Sequence, residues 1–539
     1  MQVGSKPRGW IAVWGLLAFV LLTRIPYVLT HDVQEDAYIS ARAVHNLVTH
    51  GALEFNVGDH YSPVTSLAWG YLAAIPAAVL PTDGLMLGFQ AVGIASVALA
   101  ILLLSRFLSS RWTVFALALC APGLFASFLG METGSCILYL AFSLVALQDV
   151  ELRRRWLYLA AAAGPLIRPE FILVSAALVG LTLLTARLSA RDKLFLCTAP
   201  VLGAVAYVTM NLAISGERIS PTVLAKTLAY PHDHSLRAFA GHLWALASGQ
   251  FILPGPRAIP ASLHLVVNLA PLGLLSWRLT TRAIAWRENA RFIGFVVFIA
   301  YGLPTVFALG GQFAQWYLFP CAFFAVFLGL WSLPPAWRTR TAVRAATLTA
   351  FTGVAVGLLA LAYSGGTQEY GYRADVGRWL RRQAGPEDTL LLEPAGYIPF
   401  YSGLKTYDDV GLVSPVVLEY LRLYGRQWWW PFVQDRWPDW IIDRHDFRVT
   451  AQNDACELSP AQHRLLLARY ELVKVFHYDP RNYARNAFGL RVLRLGAHAD
   501  YYVYRLKQSS ATPAASPTVA VRSSSAAATS PLQAPGAER

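Results

Sequence analysis

Residues 31–70 read HDVQEDAYISARAVHNLVTHGALEFNVGDHYSPVTSLAWG, a polar, acid-bearing stretch set between apolar runs. Ala37, Ile39, Ala41, Val44, Leu47 and Val48 recur at helical spacing and give one apolar face. That pattern predicts an amphipathic helix lying on a membrane surface. Glu35 and Asp36 open this helix, where acidic residues serve either as N-terminal caps or as chemistry at the bilayer edge. Ahead of the stretch, residues 10–30 form an apolar run that follows Lys6 and Arg8 and carries Arg24 near its end. It lacks a small-residue cleavage site and reads as a retained first span.

The rest of the chain agrees with a bilayer as solvent. Of 539 residues, 55% are hydrophobic and only 14% charged, with a mean hydropathy of +0.42. Soluble domains carry roughly 25% charge, so this composition excludes a cytosolic enzyme, a disordered scaffold and a secreted disulfide module. After the first loop, apolar segments follow at 63–81, 85–105, 112–129, 133–149, 156–167, 171–186, 194–214, 258–278, 292–309, 313–331 and 343–363. Most approach the roughly 20 residues that cross a bilayer as helix. The net charge of +13 sits in short connections: Arg106 and Arg111, Arg153 to Arg155, Arg187 to Lys193, Arg278 to Arg291, and Arg338 to Arg344. Placing these inside puts 31–62, 130–132, 168–170, 215–257, 310–312 and everything after 363 outside. The same clustering argues against a nucleic-acid partner. Segment 63–81 contains Pro63, Pro76 and Pro81 and is expected to be re-entrant or interfacial, which leaves about eleven spans.

From Ser364 the sequence becomes mixed and charged. Strand-like runs at 389–393, 439–443, 471–476, 491–494 and 501–506, with helical stretches at 374–383 and 415–424, predict an α/β domain. From Gln508 onward Ser, Ala, Pro and Thr dominate, which predicts a disordered tail over 508–539. The fold class is thus a polytopic α-helical membrane protein, residues 1–363, with a C-terminal extracytoplasmic α/β domain at 364–507.

Between Leu85 and Tyr363 there are eight acids. Asp149, Glu151, Asp192 and Glu288 lie beside inner arginines, where solvated ion pairs account for them. Glu132, Glu170, Glu217 and Asp233 fall on the outer side with Glu35 and Asp36. Ionisable groups at the hydrocarbon edge are costly and so are functional candidates. The alternatives are a structural pair of Glu170 with Arg168, and a favourable helix-dipole interaction for Glu132.

The run EDAYIS at 35–40, HNL at 45–47, FNVGD at 55–59 and YSPVTSLAW at 61–69 resembles the first loop of bacterial GT-C glycosyltransferases. The likeness is nearest to the actinobacterial terminal β-1,2-arabinofuranosyltransferase family. It continues through GMET at 130–133, IRPEF at 167–171, SPTVLAK at 220–226, GGQFAQWYLFP at 310–320 and EPAGYIPFYSGLKTYDDVGLVSP at 393–415. Pro221 stands where that family usually has Asn, and an expected Arg near Trp316 is absent. The resemblance implies an enzyme of the bacterial inner membrane that takes a monosaccharide, arabinofuranose in that family, from a polyprenyl-phosphate donor. Its acceptor would be a hydroxyl of an envelope glycan or glycolipid on the outer side. Alternatives are a lipid A or protein glycosyltransferase of the same donor class, a polysaccharide flippase, and an inactive glycan binder.

The residues suit that chemistry. A hydroxyl nucleophile needs a carboxylate base, and a departing lipid phosphate needs fixed cations or a divalent metal. Asp36 is the expected base, with Glu35 orienting it, binding acceptor or holding a metal. Lys226 and Arg168 are the expected phosphate partners, with Arg42 next and Tyr38 beside the acids. Lys226 reads equally as a lysine snorkelling to the interface. His232, Asp233 and His234 offer metal ligands, against the plainer reading of a solvated loop. Trp428, Trp429 and Trp430 suit sugar stacking, the membrane surface or a core.

Overall fold

The computed structural model describes residues 9–507 except 32, 231–234, 250, 253–259, 282, 310–314, 488, 490 and 493–498. The loop residues His232, Asp233 and His234, weighed as metal ligands or as a solvated loop, and the tail at 508–539 lie outside the described residues. Five helical stretches are long and apolar enough to cross a membrane: Val13–Thr30, Thr82–Phe107, Ala190–Ser215, Asn289–Leu309 and Thr341–Gln383. Shorter apolar helices pack among them at Leu67–Ala77, Thr133–Gln148, Pro169–Thr185 and Trp316–Ser332. Segment 63–81 accordingly holds one short helix with Pro76 inside it, because its prolines remove backbone donors at both ends. Segment 112–129 is split into Arg111–Ala118 and Ala121–Ala126, the break falling just before Pro122.

Arginine-rich connections meet one another. Arg338 donates to Ser109 Oγ at 2.5 Å, Arg291 to Thr185 Oγ1 at 2.7 Å, and Arg154 pairs with Asp192 at 2.6 Å.

The C-terminal region carries a five-stranded sheet of order β2-β1-β3-β5-β4. The strands are β1 Thr389–Leu392, β2 Lys405–Asp408, β3 Trp440–Asp443, β4 Tyr470–Phe476 and β5 Tyr501–Leu506. β1 runs parallel to β2 and β3, and β5 is antiparallel to β3 and β4. Side chains alternate between two buried faces, as strand geometry requires. Leu391, Ile441 and Tyr504 pack with Trp428, Trp429 and Phe432 on one face. Leu390, Leu392, Ile442 and Val503 pack with Val376 and Leu380 on the other. The three consecutive tryptophans are therefore core. The run at 491–494 forms no strand over its described residues 491 and 492, and β2, with its polar KTYD sequence, takes an edge place instead.

The Glu35–His50 helix forms where expected, but protein covers both of its sides. Ala37, Ala41 and Val44 are fully buried against Leu67, Trp69 and Phe89. Tyr38 stacks on Tyr397 with ring centroids 4.1 Å apart. The helix is a wedge between the bundle and the sheet region rather than a helix resting on lipid. The periodicity found its apolar face, and the second face is covered because its polar residues find partners beyond residue 370.

Candidate active site

Successive helical residues are about 100° apart, and positions three or four apart share a face. Glu35, Tyr38 and Arg42 consequently line one stripe of the wedge helix, while Asp36, Ile39 and Ser40 line another. The adjacent acids thus look in different directions.

Glu35 faces the sheet region. Its Oε1 accepts the backbone N–H groups of Gly396 at 2.7 Å and Tyr397 at 2.9 Å, and its Oε2 pairs with Arg373. Arg42 donates to the carbonyls of Phe55 at 2.9 Å, Pro399 at 2.9 Å and Leu404 at 2.8 Å. Asn56 of the FNVGD turn exchanges two bonds with the Thr406 backbone, both 2.9 Å, and Lys405 pairs with Asp59 at 2.6 Å. Glu54 accepts from the N–H of Gly58 at 2.8 Å and of His60 at 2.9 Å. Gly58, at φ +85°, allows the turn that presents these groups. Much of the first-loop motif is thereby a clasp between bundle and sheet.

Asp36 faces a cavity that also includes Ser66, Glu132, Arg168, Lys226 and Trp316. Among the described residues, Asp36 has no hydrogen-bond partner. Burial raises its carboxyl above the ordinary range; the Lys226 ammonium opposes that shift, and Glu35 and Glu132 add to it. Lys226 projects from the Pro221–Ala229 helix, which is pinned by Thr222 donating to Pro63 O at 2.7 Å. Arg168 is 3% exposed and pairs with Glu170 at 2.6 Å and Glu132 at 3.2 Å, its guanidinium 4.0 Å above the Tyr317 ring. Two carboxylates already neutralise Arg168. Lys226 has no ion-pair partner among the described residues, and so leaves a cation in the cavity that no carboxylate holds at contact distance.

The structure thus gathers Asp36, Glu132, Arg168 and Lys226 in one cavity, brings Glu170 to it through Arg168, and sets Glu35, Tyr38 and Arg42 behind it in the clasp. A residue not singled out from the sequence joins this region. Glu393, just past β1, has its carboxyl pushed up to about 8 by burial and Asp408, with Glu35 and Asp36 contributing and Arg444 opposing. Tyr230 is raised to about 12 by burial, followed by Glu393, Asp408, Asp409 and Asp36. Glu393 and Tyr230 therefore lie within electrostatic reach of Asp36. The quoted EPAGY motif contained Glu393, and its placement at the end of a predicted strand was the available signal.

The chain aligns in structure with ArnT from Cupriavidus metallidurans bound to undecaprenyl phosphate, at TM-score 0.55 and 13% identity, covering 94% of this chain and 100% of that one. The apo state of the same protein aligns at TM-score 0.51 and 14% identity, covering 93% and 98%. The chain has a GT-C-like fold. Arabinofuranosyltransferase AftD from Mycobacteria aligns at TM-score 0.41 and 16% identity over 94% of this chain and 42% of that one, a likeness too slight to argue from. Residues 361–504 match a domain of unknown function, DUF8728. No curated protein matches the chain by sequence. With its apolar spans and this fold, the chain is a multi-pass membrane protein.

Proposed function

We propose that this chain is a membrane glycosyltransferase that uses a polyprenyl-phosphate monosaccharide as donor. The observation that carries the reading is that Asp36 and Lys226, neither of them ion-paired among the described residues, line one cavity of a GT-C-like fold. ArnT holding undecaprenyl phosphate supports the donor class. Asp36 takes the proton from an acceptor hydroxyl, whose oxygen attacks the anomeric carbon of the donor sugar. The bond from that carbon to the phosphate oxygen breaks, and the polyprenyl phosphate leaves with the electron pair. Lys226 opposes the charge that develops there, with Arg168, held by Glu132 and Glu170, as the second cation. Glu393 and Tyr230, within electrostatic reach of Asp36, bind sugar hydroxyls.

The loop motifs favour arabinofuranose as the sugar and an envelope glycan or glycolipid as acceptor, with the cavity and the sheet region on the outer face of the bacterial inner membrane. The test is direct. Purified protein is incubated with polyprenyl-phosphate sugars and acceptor glycans, and release of polyprenyl phosphate is measured. Sugar-dependent release with matching glycosylated product supports the reading. Donor binding without turnover for every sugar and acceptor tried counts against it.

A further inference from the structure

The carboxyl ends of β2, β1 and β3 gather acids that the proposed transfer does not use. Asp443 ends β3, Asp409 follows β2, and Asp454 reaches back from the loop beyond β3. In open sheets with parallel strands, this edge is where ligands bind. Ligand atoms of Asp443, His445 and Asp454 all lie within 4.8 Å of one another.

Local backbone geometry fixes this group. Asp443 is 2% exposed. Its Oδ1 accepts the His445 N–H at 2.7 Å and lies 2.9 Å from His445 Nδ1. Its Oδ2 accepts the Asp454 N–H at 3.2 Å. The Asp454 side chain is 10% exposed, with Oδ1 3.5 Å from His445 Nδ1 and Oδ2 3.7 Å from Arg444 Nε. That Oδ2 is buried and makes no hydrogen bond.

A separate observation points to a ligand. Asp409 Oδ1 is buried and has no hydrogen-bond partner among the described residues, and the charges that act on it most are Asp443 and Asp454. A buried carboxylate oxygen left without a donor is costly, and a cation held by the neighbouring acids would satisfy it. Arg444 and His445 are the only basic side chains paired with this group among the described residues.

We propose that Asp443, His445 and Asp454, with Asp409 as a further ligand, bind a divalent cation at this sheet edge. One imidazole among carboxylates suits Mn²⁺ or Zn²⁺ better than Mg²⁺ or Ca²⁺. None of the four residues borders the Asp36 cavity. The bound cation joins the ends of β2 and β3 to the loop carrying Asp454.

The test uses the full chain purified in detergent, stripped with a chelator and equilibrated with Mn²⁺ or Zn²⁺. Bound metal is counted by mass spectrometry, and thermal unfolding is followed with and without metal. A stoichiometric ion that raises the unfolding temperature is expected. Asp409→Asn and His445→Ala are mild changes at half-buried positions, and each should weaken binding at least as much as losing an outer-shell partner, about 10–100-fold. For Mn²⁺, a nitrogen coupling in pulsed electron spin resonance should vanish in His445→Ala. Wild-type protein that takes up no metal, or undiminished uptake by the Asp409→Asn, His445→Ala double variant, overturns the proposal.

Discussion

Replacing Glu35 by alanine should open the clasp between the wedge helix and the sheet region without touching the cavity that Asp36 lines. The Glu35 carboxylate holds two backbone N–H groups and the Arg373 guanidinium. Hydrogen bonds to a charged acceptor contribute about 1.5–3 kcal/mol each. Removing one member of a buried ion pair costs about 3–5 kcal/mol. These terms overlap, since Arg373 keeps Glu369 at 3.3 Å, so about 3–5 kcal/mol is expected for Glu35→Ala. Glu35→Gln keeps an acceptor for both N–H groups and should cost about 1.5–3 kcal/mol. The assay is amide hydrogen exchange at Gly396 and Tyr397, which reports local opening. At 1.36 kcal/mol per power of ten, protection should fall by roughly two to three and a half powers of ten in Glu35→Ala. Asp36→Asn, on another face of the same helix, should leave these two amides unchanged. Equal protection in wild type and Glu35→Ala, or an equal loss in Asp36→Asn, would refute the division of labour between the two acids.

Lys226→Met should reduce donor use by about 2.7–4 kcal/mol, as losing one preorganised charge-stabilising donor does, and the chain should still fold; unchanged kcat/KM would move the phosphate elsewhere. Burial raises the Asp36 pKa and Lys226 pulls it down. A base works only when deprotonated, so rate falls as pH drops through that raised pKa, above the ordinary aspartate value of about 3.9. The same Lys226→Met change should move this acid limb to higher pH, and a shift to lower pH would contradict the charge reading. Gly396→Ala places a methyl inside contact distance of Glu35 O and its carboxylate. It should cost about 1–3 kcal/mol as an overpacked site, with faster exchange at Tyr397; normal protection would show that the clasp yields freely.

The sequence made the membrane class legible because bulk apolarity and arginine placement need no tertiary information. Proline content likewise marked segment 63–81, where the helix runs only over Leu67–Ala77. The wedge helix was legible in its period but not in its surroundings. Tyr38, Arg42 and Glu35 find their partners at Tyr397, Pro399 and Arg373, more than 330 residues away in every case, and no local pattern announces such pairings. For the same reason Glu35 and Asp36 looked interchangeable as neighbours in sequence, although helical rotation separates them by about 100°. Arg373 escaped notice inside an ordinary amphipathic run, Tyr370–Gln383. β2 was missed because its four residues KTYD carry two charges and little alternation. The tryptophans at 428–430 left core, sugar stacking and membrane contact open until the sheet supplied Tyr407, Ile441 and Tyr504 to pack with them. The acids of the sheet edge come from positions 409, 443 and 454, and only the parallel pairing of β2, β1 and β3 draws them together.

The central claim is that Asp36 takes the acceptor proton. Asp36→Asn keeps the size of the side chain and removes its ability to accept that proton. With purified enzyme, polyprenyl-phosphate sugar and acceptor glycan, single-turnover rates of sugar transfer should fall by about 10²–10⁴-fold. Donor affinity and the Gly396 and Tyr397 exchange protection should stay at wild-type levels. An Asp36→Asn enzyme that transfers sugar at a near-normal rate would contradict the account and pass the role of base to another acid of the cavity.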